Sequence, residues 1–226
     1  MKHRLATIAV AALLSSGGAA FAQDASEGVS LEGEIGVVSD YRFRGLSLSG
    51  EDAAIQGGLT MNLPQGFYVG VWGSSIEEYE GADIEIDLMA GYAFSAGGVD
   101  FDVSAVRYVY PDGENVDFWE IPVSAARTWD SFTGTASVVY APEQDNLGGE
   151  DNWYANLSGE YAPESWPVSV DAGVGYEDGA FADGKVDWFA GVTLPLGPVA
   201  LSLHYVGYDD GPDGDSTVVA GLSASF

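Results

Sequence analysis

From about residue 31 to the end of the chain, apolar side chains recur at every second position in segments of roughly ten residues. The last segment shows the rule. Val218, Ala220, Leu222, Ala224 and Phe226 fall on one face, and Val219, Gly221, Ser223 and Ser225 on the other. A helix, with 3.6 residues per turn, does not produce this order. The pattern predicts twelve strands, at 31–44, 53–63, 66–75, 83–94, 99–110, 116–128, 131–141, 152–162, 166–177, 185–196, 198–208 and 216–226. An even number is what a single-chain bacterial barrel requires.

The connections alternate in kind. Pro64-Gln65-Gly66, Ser95 to Gly98, Trp129-Asp130-Ser131, Pro163-Glu164-Ser165 and Gly197-Pro198 are short and carry turn residues. Between them lie acidic stretches read as longer loops: Gly45 to Asp52, Ser75 to Ala82, Pro111 to Asn115, Pro142 to Asp151, Asp178 to Gly184 and Asp209 to Asp215. Strict alternation places all the short turns, and both chain ends, at one rim. That asymmetry matches periplasmic turns opposite extracellular loops.

The columns decide which face meets lipid. Ile84, Ile86, Leu88, Ala90 and Tyr92 alternate with Glu85, Asp87, Met89 and Gly91; Val168, Val170, Ala172 and Val174 alternate with Ser169, Asp171, Gly173 and Gly175. Carboxylates are expensive in hydrocarbon, so the apolar column faces outward. Aromatic residues collect near strand ends, with Phe67, Phe101, Phe132 and Tyr161 toward the turn rim. Tyr41, Phe43, Trp119, Tyr140, Trp153, Tyr176 and Trp188 lie toward the loop rim. Two such girdles suit two water interfaces. A soluble β-sandwich or lipocalin-like barrel would turn the same apolar face inward. It would leave the strand number, the asymmetry of the connections and the girdles unexplained together.

The N-terminus and composition narrow the class further. Lys2 and Arg4, the apolar run Leu5 to Leu14 and the small-residue site Ala20-Phe21-Ala22 form a secretory signal peptide over residues 1–22, followed by a short segment, 23–30. No later stretch approaches the ~20 apolar residues of a spanning helix, so a membrane can be crossed only by strands. Processing leaves five basic residues against 35 acidic ones, a balance that argues against nucleic acid as a partner. The absence of cysteine excludes disulfide staples and thiolate metal sites. Residues 31–226 are expected to form one all-β domain, an up-and-down antiparallel outer-membrane barrel.

A family resemblance lies in the first hairpins. Val38-Ser39-Asp40-Tyr41-Arg42-Phe43-Arg44-Gly45, then Gly66-Phe67-Tyr68-Val69-Gly70-Val71-Trp72-Gly73-Ser74, Glu85-Ile86-Asp87 and Tyr108-Val109-Tyr110-Pro111 resemble the TorF-family porins of Gram-negative outer membranes. The resemblance implies an outer-membrane channel, without a defined solute or functional residues to carry over. Phe226 is similar to the C-terminal aromatic by which outer-membrane barrels are recognised by the barrel-assembly machinery.

Candidate chemistry sits on the polar face. By parity Asp40, Arg42, Arg44, Glu85, Asp87, Glu120, Asp187 and His204 point into the lumen, with Asp100, Asp102, Glu160 and Asp171 nearer the turn rim. Such residues line a water path or form a network that fills it. For Asp40 to Arg44, a salt-bridged girder outweighs a solute clamp, because an interior this acidic pairs with almost any arginine. A clamp would exploit the match of guanidinium to carboxylate and phosphate. Both readings can hold together.

Catalytic readings have less to stand on. Ser202 and His204 share the inner face at ~7 Å between α-carbons, awkward for a nucleophile and its base. A lumen histidine bonded to a carboxylate or water accounts for His204 more simply. Asp209 to Asp215 is rich in carboxylates but lacks calcium-loop spacing and its closing glutamate. Asn156-Leu157-Ser158 matches a glycosylation sequon only formally, because it falls in mid-strand. Arg107 falls on the lipid-facing parity; either the strand bulges there or the side chain snorkels to the loop rim.

The expectation is therefore a porin-like channel for passive diffusion of small hydrophilic solutes, cation-preferring, embedded in outer-membrane lipid, with no enzyme activity, cofactor or metal. The alternative is a non-conducting structural or adhesive barrel whose lumen is filled by charge.

Overall fold

The computed structural model describes residues 28–211 and 213–226. The expected signal peptide lies outside them. Twelve antiparallel strands close into a barrel: β1 (Ser30–Val38), β4 (Ala54–Asn62), β5 (Phe67–Tyr79), β6 (Ala82–Ala96), β7 (Val99–Val109), β8 (Phe118–Trp129), β9 (Phe132–Ala141), β10 (Asn152–Tyr161), β11 (Ser169–Gly179), β12 (Ala182–Leu196), β13 (Val199–Asp210) and β14 (Asp213–Ser225). Two short strands, β2 (Arg42–Phe43) and β3 (Leu46–Ser47), pair with each other as a separate hairpin that is not part of the ring's ladder.

Neighbours in sequence are neighbours in the sheet, and the ring shuts where β1 meets β14, in a register running from Glu34 opposite Ser225 to Val38 opposite Gly221. Beyond that ladder Gly33 and Phe226 exchange backbone hydrogen bonds, both at 2.9 Å. Among the described residues every strand of the ring is paired on both sides, as a barrel in hydrocarbon requires. The Phe226 ring lies over Gly33, where any β-carbon would collide with it.

Outward positions are apolar and exposed, including Ile35, Leu59, Val71, Leu88, Val123, Leu157, Val174, Leu203 and Leu222. This belt is bordered on the turn rim by aromatic pairs, one tilted and two stacked. Phe67 lies 4.8 Å from Tyr92, Phe94 5.1 Å from Phe101, and Trp129 6.2 Å from Phe132. On the loop rim Tyr140 lies 4.3 Å from Trp153, and Trp119 and Tyr176 are exposed nearby.

Two expectations are corrected. Three of the stretches read as long loops are strand: β5 and β6 join through Glu80-Gly81, β11 and β12 through Ala180-Phe181, and β13 and β14 after Asp210. The acidic ends of these hairpins stand beyond the apolar belt, where water hydrates a carboxylate on either face, and the pairing extends into them through register shifts between Ser75 and Tyr79 and between Glu177 and Gly179. Glu80 and Gly81 both have positive φ, 50° and 95°, as a two-residue primed turn demands. The second correction concerns the first strand, which stops at Val38 rather than continuing to residue 44.

Candidate functional site in the upper lumen

Residues 39–53, here called loop 1, fold into the barrel instead of rising from its rim. Tyr41 and Leu48 rest on an apolar patch of the inner wall formed by Val38, Ala54, Val206 and Val219, with Trp72, Ile76 and Phe189 around it. The hairpin of β2 and β3 turns at Arg44-Gly45, both at positive φ (48° and 84°). Glycine is needed at 45, since a β-carbon there would strike the Gly207 carbonyl and Tyr208. Backbone bonds anchor the loop further: Leu48 donates to the Tyr41 carbonyl and Glu77 to that of Leu48, both at 2.8 Å.

From this base loop 1 reaches walls on both sides. Tyr41 Oη donates to Glu85 Oε1 on β6 at 2.6 Å, and its ring packs 5.5 Å from Trp72. Arg42 Nε bonds Asp40 at 2.5 Å, and its Nη1 bonds the Gly45 carbonyl at 3.0 Å and Asp215 of β14 at 2.7 Å. Arg44 Nη2 donates to both oxygens of Glu120 on β8, at 2.8 and 2.7 Å, and Nη1 donates to Glu177 on β11. The Arg44 guanidinium sits 4.5 Å from the Phe43 ring centroid and 4.4 Å from that of Tyr154.

The acceptors are themselves held in place. Glu85 Oε2 takes a hydrogen bond from Tyr110 at 2.6 Å, and Glu120 Oε2 one from Tyr108 at 3.0 Å. Glu177 receives Lys185 Nζ at 2.6 Å and Asn152 Nδ2 at 3.1 Å. Arg42, Tyr108, Glu85, Glu120 and Glu177 are all fully buried. Buried charges are costly unless paired and hydrogen-bonded; Arg42, Arg44, Glu120 and Glu177 have ion-pair partners, while Glu85 is held by the Tyr41 and Tyr110 hydroxyls alone.

Each sequence-predicted residue therefore has a defined place. Asp40, Arg42 and Arg44 enter the lumen on an inward-folded loop rather than on a strand, which corrects the parity argument applied to them. Tyr41 and Phe43 turn inward with them and do not belong to the outer girdle. Glu85, Asp87, Glu120 and Asp187 occupy inward strand positions and are buried; Asp87 Oδ1 and Asp187 Oδ2 have no hydrogen-bond partner. His204 lies lower on the wall, with Nε2 3.1 Å from both Asp171 oxygens, its ring filling the space above Gly191. Among the described residues no hydrogen bond joins it to Ser202.

Nearer the turn rim, polar side chains meet on inward strand positions. Tyr68 donates to Asp102 at 3.0 Å and lies over Gly91, and Glu160 and Asp171 stand opposite each other on β10 and β11. Arg42, Arg44 and Lys185 all lie above them in the network; the other lysine and arginine residues among the described ones, Arg107 and Arg127, are on the outer face. The β7–β8 register is constant from Val103 opposite Val123 to Tyr108 opposite Phe118, so no bulge turns Arg107. It snorkels to Asp117 at 3.2 Å with its guanidinium 5.4 Å from the Trp119 ring. Among the described residues, no three His, Cys, Asp or Glu side chains are grouped to hold a metal ion.

Residues not among the lumen candidates read from the sequence complete the network: Glu177, Lys185, Tyr108, Tyr110, Asn152 and Tyr154. Parity held the signal for several of them. Glu177 shares a face with Asp171 and Gly175, and Lys185 with Asp187.

The fold defines a class, the porin-like twelve-stranded barrel. A structure described as KdgM porin superposes with a TM-score of 0.61 at 6% identity, covering 86% of this chain and 99% of its own. A NanC porin structure gives 0.59 at 11% identity, covering 87% and 99%. The COG4313 outer membrane channel from Pseudomonas putida F1 gives 0.50 at 12%, covering 87% and 95%. No curated protein matches. By sequence the chain belongs to the Gcw_chp family, described as bacterial protein of unknown function, whose model matches residues 22–223.

Proposed function

We propose that the protein is an outer-membrane channel of the TorF porin type through which small hydrophilic solutes diffuse passively, with a preference for cations. The observation that carries the preference is the distribution of charge along the inner wall. Below the Arg44 network stand Asp102, Glu160 and Asp171, and among the described residues no lysine or arginine shares that stretch. A carboxylate wall bounded by low-dielectric strands concentrates cations and repels anions. Loop 1 sets the constriction above it, and solutes pass beside the loop or displace it. The signal peptide brings the chain to the periplasm, and Phe226 presents the closing strand to the assembly machinery.

Burial of the Arg44 network favours a second reading, a non-conducting barrel in which loop 1 is a permanent plug. Single-channel recording in planar bilayers separates the two. Discrete potassium-selective openings support the channel, and their absence from folded protein supports the plug.

A further inference from the structure

We infer that the wall around Arg44 is a receptor for guanidinium compounds, occupied in this structure by a guanidinium that the chain itself supplies. The inference rests on the channel reading for its role in transport and names the solute class of that same site. Its basis is a division of labour between strand and loop. Glu120, Tyr154, Glu177 and Asp187 stand on β8, β10, β11 and β12, fixed by their ladders, whereas Arg44 arrives on a two-residue turn at positive φ. The receptor belongs to the rigid wall and the occupant to a loop.

The wall matches a guanidinium in three respects. Two buried carboxylates take up the two terminal nitrogens separately, both Glu120 oxygens accepting from Nη2 and one Glu177 oxygen from Nη1, a bridge between two acids that the planar guanidinium spans and a compact single ammonium nitrogen does not. The Tyr154 ring lies 4.4 Å from the cation, offering its electron-rich face. A further acceptor is unfilled: Asp187 is 4% exposed, Oδ1 takes the Tyr154 hydroxyl at 3.2 Å, and Oδ2 has no partner. Asp187 lies within electrostatic reach of Arg44, Glu177 and Lys185. The cage thus offers more acceptor capacity than Arg44 consumes, and a free ligand bearing a second donor would use it. A guanidinium solute moving through the lumen competes with Arg44 for the same oxygens, which couples its binding to release of loop 1.

The test uses full-length protein purified as a folded barrel in detergent. Arg44→Ala empties the cage and should lower the temperature at which the barrel unfolds on a heat-modifiability gel. Methylguanidinium should raise that temperature back toward wild type, while tetramethylammonium at equal ionic strength, which has no N–H donors, should not. The R44A/E120Q/E177Q variant should lose the protection. Arg44→Lys, which keeps a charge on the loop but cannot bridge both carboxylates, is the second variant and should show the same order of protection. Absence of protection in folded R44A or R44K, or equal protection by tetramethylammonium, overturns the receptor. Conductance is recorded on the same samples: protection without conduction contradicts the channel but keeps the receptor, and conduction without protection does the reverse.

Discussion

Arg44 on loop 1 and Glu120 on β8, 76 residues apart, meet through two hydrogen bonds at 2.8 and 2.7 Å, and the same guanidinium also engages Glu177 on β11. One side chain therefore ties the inward loop to walls that are far apart in the ring. Removing one member of such a buried set strands the others. Glu120→Gln should destabilise the folded barrel, by at most the ~3–5 kcal/mol of a broken buried pair, because Arg44 loses one of its two charged partners and keeps Glu177. Heat-modifiability on gels, compared with wild type, measures the loss; an unchanged transition would show that the pair is not structural.

Two double variants separate girder from selectivity filter. Replacing Arg42 and Arg44 with alanine should deepen the preference for potassium over chloride and widen the constriction, whereas Glu85→Gln with Asp87→Asn should reduce the preference. A pure girder predicts loss of heat resistance in both with little change in reversal potential. Recording both quantities on the same samples gives the answer.

The closing strand makes a separate prediction. Deleting residues 218–226 removes the partner of β1 and exposes two edges whose backbone groups have no water to bond in hydrocarbon. No heat-modifiable barrel should accumulate in the outer membrane. Wild-type levels of folded truncated protein would contradict the closure.

Localisation is tested by fractionation. The apolar belt and its aromatic borders predict recovery with the outer membrane and a different gel mobility before and after boiling. Recovery in the soluble periplasmic fraction would contradict the membrane reading.

The barrel was legible in the sequence because period two is a direct consequence of strand geometry and survives any loop conformation. Loop 1 was not, because parity assigns a face only while the chain is extended, and nothing local tells where the extension stops. The wall held the clue instead. Val206 and Val219 sit on the inward, otherwise polar parity, and apolar groups facing a lumen imply something packed against them; Tyr41 and Leu48 are that something. The acidic hairpin tips were missed for the converse reason. Above the belt, hydration removes the need for alternation, so a strand such as Ser75–Tyr79 carries no periodic mark.

The proposed cation preference assigns selectivity to the carboxylates of the lower wall. Its most direct test is the reversal potential of the reconstituted protein across a potassium chloride gradient, measured for wild type and for Asp102→Asn/Glu160→Gln/Asp171→Asn. The account predicts a potential directed by potassium in wild type, shrinking as salt screens the wall and smaller still in the triple variant. A potential directed by chloride, or one that the triple variant leaves unchanged, would contradict it.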